Sequence, residues 1–362
     1  MVDNTPIVLD IGSYSIKAGT AEDEAPTCVL RTIIGNKGDD KYYGESVLNN
    51  KESLDDFHYP ITRGNIADFD DIENLLRYAF DENMQVDASA APIILTEEAL
   101  CPNLRKQNYA ELLFEKFETP GLLFELTGNC ALVPLDLSTG MTVDFGESFV
   151  SMFPFYNSTY LFNASDKQAF GGLDTSNNLA TILKKSGIEL DLQKDRELLN
   201  TIKADCSVPR IEGKEDTIKE YTLPDGRTVS INCCDVIEPL LVPMSIDKRN
   251  EMQGVAKMIV DCINKCPLDC KSDLFKQINL VGGAAKISGL STRIKNDVEK
   301  ILRDSNNRAE VAVNVYDNSD VLAWYGAACL GALGSTVELY ATKDFYDEEG
   351  AQAVAMKFAR EG

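Results

Sequence analysis

The chain has 362 residues, of which 44% are hydrophobic, and this is enough to build the cores of two or three domains. The composition excludes a disordered or fibrous protein. With 58 acidic and 35 basic side chains the net charge is −23, which disfavours nucleic-acid binding driven by overall charge and favours basic protein partners. The only histidine is His58, so a zinc site built from several histidines is excluded.

Neither a secretory signal nor a membrane span is predicted. The N-terminus lacks the basic and apolar segments of a signal, so we expect an intracellular protein whose ten cysteines are reduced thiols. Cys262, Cys266 and Cys270 are spaced by four, but Pro267 interrupts any single helix, which disfavours a metal site. The uncharged stretch 321–337 is short and broken by glycines, which favours a buried helix.

Short apolar runs typical of buried strands alternate along the chain with amphipathic segments typical of helices. The expected strands cover 7–10, 92–95, 121–124, 141–144 and 277–281. Three expected helices present apolar stripes, formed by Ile72, Leu75, Leu76, Ala79 and Phe80; by Tyr109, Leu112, Leu113 and Phe117; and by Leu290, Ile294, Val298 and Ile301. This alternation predicts an α/β fold.

Two segments about 130 residues apart repeat one pattern, in which an apolar run is followed by Asp-X-Gly and a second strand-like run. The pattern contains Asp10 and Gly12 in one segment and Asp144 and Gly146 in the other. Glycine turns let backbone N–H groups approach a phosphate, and an aspartate is a suitable ligand for hydrated Mg²⁺. Lys17 adds a positive charge for the phosphates. A single such turn is more often an ordinary turn, but the repetition favours a phosphate and metal site.

A third glycine turn, Gly282-Gly283, follows the last expected strand, and a helix begins near Leu290. Helix N-termini and glycine turns suit anions and nucleosides. The chain has neither a Walker lysine-serine loop nor a G-x-G-x-x-G fingerprint, so P-loop and dinucleotide-binding folds are disfavoured. Three glycine turns at strand ends therefore predict a nucleotide held by two similar domains.

Several motifs resemble those of the actins and actin-related proteins, within the wider superfamily of actins, sugar kinases and heat-shock chaperone ATPases. They occur in the family's order, cover nearly the whole chain, and lie at 10–19, 59–64, 95–97, 117–120, 143–146, 221–226, 280–283, 324–326 and 343–350. The Tyr-Pro-Ile motif at Tyr59 and the Leu-Pro-Asp-Gly motif after Tyr221 are specific to actin-like proteins.

The resemblance implies an actin-like fold with two RNase-H-like domains around a nucleotide cleft and with small, trimmed outer subdomains. The first domain would comprise 1–135 and 322–362, with its outer subdomain at about 32–58. The second would comprise 136–321, with its outer subdomain at about 171–250.

The resemblance also implies ATP or ADP with Mg²⁺ as ligand. Carried over by motif, the phosphate-facing residues are Gly12, Ser13, Tyr14, Lys17, Gly146, Glu147 and Ser148. Those around the nucleoside are Gly172, Lys203, Gly282, Gly283 and Ala284. Asp10 and Asp144 would hold the metal through water. Tyr14 replaces a glycine of the family, and its ring would either crowd the phosphates or lie outward.

Other departures from the family concern hydrolysis and nucleoside contacts. Thr127 occupies the position of the glutamine that orients the attacking water, and Ser151 replaces an assisting histidine. Because a threonine is too short for that role, we expect at most a weak ATPase. Ala204 replaces an acidic residue beside Lys203, and Asp320 replaces a lysine.

The surfaces that join actin subunits are also altered. Only six residues separate Gly35 from Tyr42, where actins carry a long inserted loop, and the family's apolar plug corresponds to the mostly charged segment 245–251. Residues 205–221 are shortened as well. These changes favour a structural, capping or adaptor subunit that binds proteins, such as actin or other actin-related proteins, and neither nucleic acid nor membrane directly.

The resemblance leaves the cellular setting open between the cytoplasmic cytoskeleton and a nuclear chromatin-remodelling complex. One alternative function is a filament-forming ATPase with rebuilt contacts. Another is a sugar or acetate kinase, which the motifs at Tyr59 and Tyr221 disfavour.

Overall fold

The structure is a computed structural model that describes residues 5–245 and 252–360. The chain forms two compact units, and each contains helices and a mixed sheet, so the predicted α/β fold is confirmed. One unit comprises Met1–Ser138, Asn157–Ser165 and Val321–Gly362, and the other comprises Thr139–Tyr156 and Asp166–Asp320. Apart from Ser245, the charged segment at 245–251 lies outside the described residues.

The main sheet of the first unit contains the strands predicted at 7–10, 92–95 and 121–124. Its strand order is Ala341–Thr342, Gly121–Leu126, Ile93–Glu97, Ile7–Ile11, Ser15–Thr20 and Cys28–Arg31. The strand Ile7–Ile11 is antiparallel to Ser15–Thr20 and parallel to Ile93–Glu97. Its residues Ile7, Val8 and Leu9 are completely buried, as expected for a strand near the centre of a sheet.

The first unit contains helices of several kinds. The α-helices are Glu45–Asn50, Phe69–Arg77, Asn103–Glu111, Thr127–Leu132, Leu322–Gly331 and Lys343–Lys357. Two of them continue as π-helical turns, Tyr78–Met84 and Leu112–Lys116, and shorter 3₁₀ turns are Lys51–Ser53, Ala88–Ala90, Val133–Leu135, Phe162–Ala164 and Gly334–Leu339. Gly326 is required where two helices meet, because a Cβ atom there would lie 1.7 Å from the carbonyl oxygen of Cys130.

A small three-stranded sheet of the first unit contains the segment 35–42, where the resemblance to actins implies a shortened loop. The strand Ile34–Lys37 pairs with both Asp40–Tyr43 and Asp56–His58. The first pair is joined by a tight turn in which Gly38 has φ +58° and donates its N–H to Asp55 at 2.7 Å. Further short strands are Ile61–Thr62, Asn65–Ile66 and Thr159–Tyr160.

The second unit has a sheet with the order Val150–Tyr156, Gly140–Phe145, Ile278–Gly282 and Val313–Val315, and Asp166–Gln168 also pairs with the first of these strands. Its helices are Gly172–Lys185, Arg196–Asp205, Cys233–Leu241, Val255–Lys265, Lys271–Lys276 and Leu290–Asp304, with 3₁₀ turns at Pro243–Ser245 and Gly283–Lys286. A separate hairpin pairs Ile218–Thr222 with Thr228–Asn232.

The predicted core stripes are buried with one exception. In the last helix, Leu290, Ile294 and Val298 are buried, but the fourth position is Leu302 and not Ile301. The uncharged stretch 321–337 forms the buried helix Leu322–Gly331, as predicted, followed by a 3₁₀ turn. Within the described part of the chain, no helix combines the length and apolar character needed to span a membrane.

Candidate functional site

The first Asp-X-Gly segment forms a tight hairpin between two strands of the first unit. Asp10 pairs across the strands with Lys17, and the N–H of Gly12 donates to the carbonyl oxygen of Ser15 at 3.0 Å. The turn therefore contains Ser13 and Tyr14 and begins two residues after the aspartate. This arrangement places a carboxylate, an ammonium group and a glycine turn at the end of a buried strand.

The carboxylate of Asp10 is held through both of its oxygens. Lys17 Nζ donates to Oδ2 at 2.6 Å, and the hydroxyl of Thr96 donates to Oδ1 at 2.8 Å. Burial alone would raise the pKa of Asp10, but Lys17 and Thr96 together lower it below the ordinary value. Asp10 is therefore a charged carboxylate whose orientation is fixed by two hydrogen bonds.

Residues 31 and 32 hold the same turn from the neighbouring strand. The hydroxyl of Thr32 donates to the carbonyl oxygen of Gly12 at 2.8 Å, and its N–H donates to the carbonyl oxygen of Tyr14 at 3.1 Å. The guanidinium carbon of Arg31 lies 4.3 Å from the centre of the Tyr14 ring. The ring of Tyr14 thus packs against Arg31.

The second hairpin repeats this geometry in the second unit. The N–H of Gly146 donates to the carbonyl oxygen of Phe149 at 2.9 Å, and Asp144 pairs across the strands with Ser151. Two carbonyl oxygens of the turn accept hydrogen bonds from the first residues of the helix Gly172–Lys185, at 3.1 Å for Gly146 and 3.0 Å for Glu147. The turn and the start of this helix therefore form one connected structure.

The side chain of Glu147 joins the turn to the next helix. Oε1 of Glu147 accepts a hydrogen bond from Arg196 at 2.8 Å, and both side chains are nearly buried. Lys203 donates to the carbonyl oxygen of Gly172 at 3.0 Å and to the hydroxyl of Ser176 at 2.9 Å. Burial lowers the pKa of Lys203, although Glu147 acts in the opposite direction.

The third glycine turn lies beside the second aspartate. Gly282 has φ +88°, and a Cβ atom there would lie 2.4 Å from the carbonyl oxygen of Phe145 and 2.9 Å from Oδ1 of Asp144. Only glycine fits, because both the backbone conformation and the space exclude a side chain. Gly283 and Ala284 follow in the 3₁₀ turn, and a Cβ atom at Gly283 would meet no heavy atom within 4 Å.

Comparisons with known proteins identify the family of the chain. The chain matches the family described as Actin over residues 1–359. It belongs to the actin family. It is also 28% identical over 370 residues to a protein named "Actin-like protein" from Neurospora crassa, and the alignment covers 95% of this chain and 96% of that protein. Members of the actin family generally bind ATP or ADP with Mg²⁺ and interact with protein partners.

The predicted site residues of this actin-family chain fall into two sets, each within one unit. Asp10, Gly12, Ser13, Tyr14 and Lys17 share the first hairpin. The second unit contains Asp144, Gly146, Glu147, Ser148, Gly172, Lys203, Gly282, Gly283 and Ala284. Among the residues that the structure describes, no cluster of three or more acidic, histidine or cysteine side chains could hold a metal ion.

Four positions depart from the actin-family pattern, and the structure shows the surroundings of each. The hydroxyl of Thr127 donates to the carbonyl oxygen of Glu97 at 2.9 Å, and Ser151 is only 2% exposed. Asp320 forms an ion pair with Lys286 at 3.1 Å, and Ala204 is exposed.

Sequence reasoning missed four residues that orient the site. Thr96 and Thr32 hold the first hairpin, Arg31 packs on Tyr14, and Arg196 holds Glu147. Thr96 lies in the motif at 95–97, which is shared with actins and to which the sequence assigns no role. The two-residue period of a strand would have placed it on the face of Asp10, but only once the strand pairing was known.

Proposed function

We propose that this actin-family protein binds ATP or ADP together with Mg²⁺, hydrolyses the nucleotide poorly or not at all, and serves as a structural, capping or adaptor subunit of a larger assembly. The single observation that carries the proposal is the repeated turn, in which the N–H of a glycine donates across the hairpin at 3.0 Å in one unit and at 2.9 Å in the other. Each turn lies two residues after an aspartate, where a phosphate and its metal ion would need their ligands.

The chemistry of the donor set suits Mg²⁺. This ion prefers oxygen ligands and keeps several of its water molecules, so two carboxylates acting through water are adequate protein ligands. Asp10 is kept charged by its contacts with Lys17 and Thr96. Oδ1 of Asp144 lies so close to Gly282 that a Cβ atom there would be 2.9 Å away, so a glycine is needed beside this carboxylate.

Poor hydrolysis is supported by the position of Thr127. The threonine side chain is too short to position an attacking water. Its hydroxyl is also oriented elsewhere, because it donates to the carbonyl oxygen of Glu97. Ser151 is nearly buried and cannot replace the assisting histidine of the family as a general base at neutral pH.

The subunit role is supported by the small sheet of the first unit. The strands Ile34–Lys37 and Asp40–Tyr43 are joined by a tight turn, where a polymerising actin has a long inserted loop. The net charge of −23 favours a basic protein surface as partner and disfavours direct contact with nucleic acid. Such a partner could belong to the cytoplasmic cytoskeleton or to a chromatin-remodelling complex.

The test is a measurement of nucleotide-induced stabilisation. Because a ligand that binds only the folded state raises its stability, saturating Mg-ATP or Mg-ADP should raise the melting temperature of nucleotide-depleted protein by several degrees. Asp10→Asn and Asp144→Asn should reduce this increase, whereas the exposed control Asp269→Asn should leave it unchanged. An unchanged melting temperature of the wild type with either nucleotide would refute the proposal.

The alternative, a filament-forming ATPase, keeps the same nucleotide site and differs in assembly. Sedimentation with and without ATP, combined with phosphate release, separates the two functions. A nucleotide-dependent polymer that releases phosphate would replace the subunit proposal. If no such polymer forms, a pull-down from cell extract distinguishes a cytoskeletal from a chromatin-remodelling complex by the subunits recovered.

A further inference from the structure

Arg31 lies on the same face of the main sheet as the residues proposed to bind phosphate and metal. Directly opposed residues of antiparallel strands share a face, and Asp10 is opposite Lys17, which is in turn opposite Val29 on the next strand. Two residues further along that strand, Arg31 is opposite Ser15. Since side chains alternate between faces, Arg31 shares the face of Asp10 and Lys17.

The opposite face of these strands belongs to the hydrophobic core. Ile16 is opposite Leu30 and Ala18 is opposite Cys28, and all four side chains are buried. The pairing register therefore fixes which side chains lie on the polar face, because a register shift of one residue would bury Arg31 and expose Leu30.

Arg31 is also adjacent to the turn and close to Lys17. A residue two positions from the direct partner across antiparallel strands has its Cα roughly 7–8 Å away, which is within reach of long side chains. The guanidinium carbon lies 4.3 Å from the ring centre of Tyr14, and Tyr14 belongs to the phosphate turn. The adjacent Thr32 donates to the carbonyl oxygens of Gly12 and Tyr14, so the end of the strand is tied directly to the turn.

The chemistry of a stacked guanidinium suits phosphate recognition. Packing on an aromatic ring uses the flat face of the group, whereas its N–H donors point outward in the plane and match two phosphate oxygens. Lys17 is already bonded to Asp10 at 2.6 Å, so much of its charge is offset by that carboxylate. A second cation beside the turn would balance the charge of a polyphosphate.

We propose that Arg31, held by the ring of Tyr14, is a further phosphate-binding residue that contacts a linear polyphosphate at the first glycine turn. The polyphosphate would belong to the nucleotide of the proposed function, on which this inference rests, or to an inorganic polyphosphate with the same chemistry. In either case Tyr14 is a positioning residue that orients Arg31 and does not block the site.

The experiment measures binding of Mg-ATP and of inorganic tripolyphosphate by titration calorimetry and by melting temperature. Arg31→Ala should raise the Kd of both by about tenfold to a hundredfold, because it removes charge-assisted hydrogen bonds. Arg31→Lys should be intermediate, since it keeps the charge without the planar fork. Tyr14→Ala should weaken binding in the same direction through loss of the ring.

Arg77→Ala is the matched control. Its guanidinium carbon lies 5.0 Å from the ring centre of Phe117, so this variant also loses an arginine packed on an aromatic ring in the same unit. It should bind both ligands as the wild type does. Circular dichroism and the melting temperature without ligand confirm that each variant is folded.

The possible results separate this inference from the proposed function. If the wild type binds ATP and Arg31→Ala binds it equally well, the role of Arg31 is refuted while nucleotide binding stands. If the wild type binds tripolyphosphate through Arg31 but not ATP, the phosphate site stands and the nucleotide proposal falls. If neither ligand binds the wild type, both are refuted.

Discussion

The ammonium group of Lys106 lies 3.2 Å from Oε2 of Glu97, and both side chains are almost completely buried. The same ammonium group donates to the carbonyl oxygen of Phe358 at 2.8 Å. One lysine therefore connects the end of a central strand, a covering helix and the end of the last helix. Burial raises the pKa of Glu97 to about 7, although the attraction of Lys106 acts to lower it.

The raised pKa of Glu97 predicts a specific dependence of stability on pH. The folded protein retains a proton that the unfolded chain releases above an ordinary pKa near 4.5, so the stabilising contribution is complete below that value and is lost as the pH rises through about 7. Glu97→Gln keeps the neutral form at every pH. Relative to wild type, its free energy of unfolding should therefore be higher at about pH 8 than at about pH 5, by on the order of 3 kcal/mol.

Urea unfolding across this pH range measures the effect. The exposed control Glu52→Gln should follow the wild type throughout. Parallel pH profiles of Glu97→Gln and wild type would show that the carboxyl group titrates at an ordinary pKa.

Removal of Lys106 should destabilise the protein strongly at neutral and higher pH. Lys106→Ala leaves the buried carboxylate of Glu97 without its cation and the carbonyl oxygen of Phe358 without a donor, and such losses cost about 3–5 kcal/mol. The cost should be smaller at about pH 5, where Glu97 is neutral. Denaturant unfolding of Lys106→Ala and of the exposed control Lys116→Ala checks this, and equal stability of the two variants would contradict it.

The same substitution should have a large effect on stability at one glycine of the third turn and a small effect at the glycine next to it. Gly282→Ala places a methyl group 2.4 Å from a backbone oxygen at φ +88°, so we expect a loss of about 2–4 kcal/mol of folding free energy. Gly283→Ala meets no atom within 4 Å and should change stability by less than about 1 kcal/mol. Thermal unfolding of both variants provides the comparison, and a tolerated Gly282→Ala would show that the turn can rearrange.

A glutamine at position 127 should increase hydrolysis. Thr127→Gln supplies a side chain long enough to orient a water, and a positioned group of this kind typically contributes on the order of a hundredfold. The variant also loses the hydrogen bond to the carbonyl oxygen of Glu97, which costs about 1 kcal/mol of stability. Phosphate release under saturating Mg-ATP is the measurement. Thr127→Val removes the hydroxyl group alone and should remain as slow as wild type.

Local patterns in the sequence predicted most of the elements that carry the site. The apolar runs that end at Asp10 and Asp144 are central strands, and the glycines after them form tight turns, because both features depend on neighbouring residues. The stripe of the helix Leu290–Asp304 was wrong at one position. Ile301 and Leu302 both fit a helical stripe, and the packing partners decided which of them is buried.

By itself, the sequence determined the α/β class, the repeated hairpin and the resemblance to actins, since each is written in short contiguous motifs. Only the tertiary structure decided that Thr96 holds Asp10 from 86 residues away and that Lys106 reaches Phe358 across 252 residues. It also decided that Arg31 shares a sheet face with Lys17. These contacts depend on strand order and register, which are set when distant segments pack together and which no local pattern specifies.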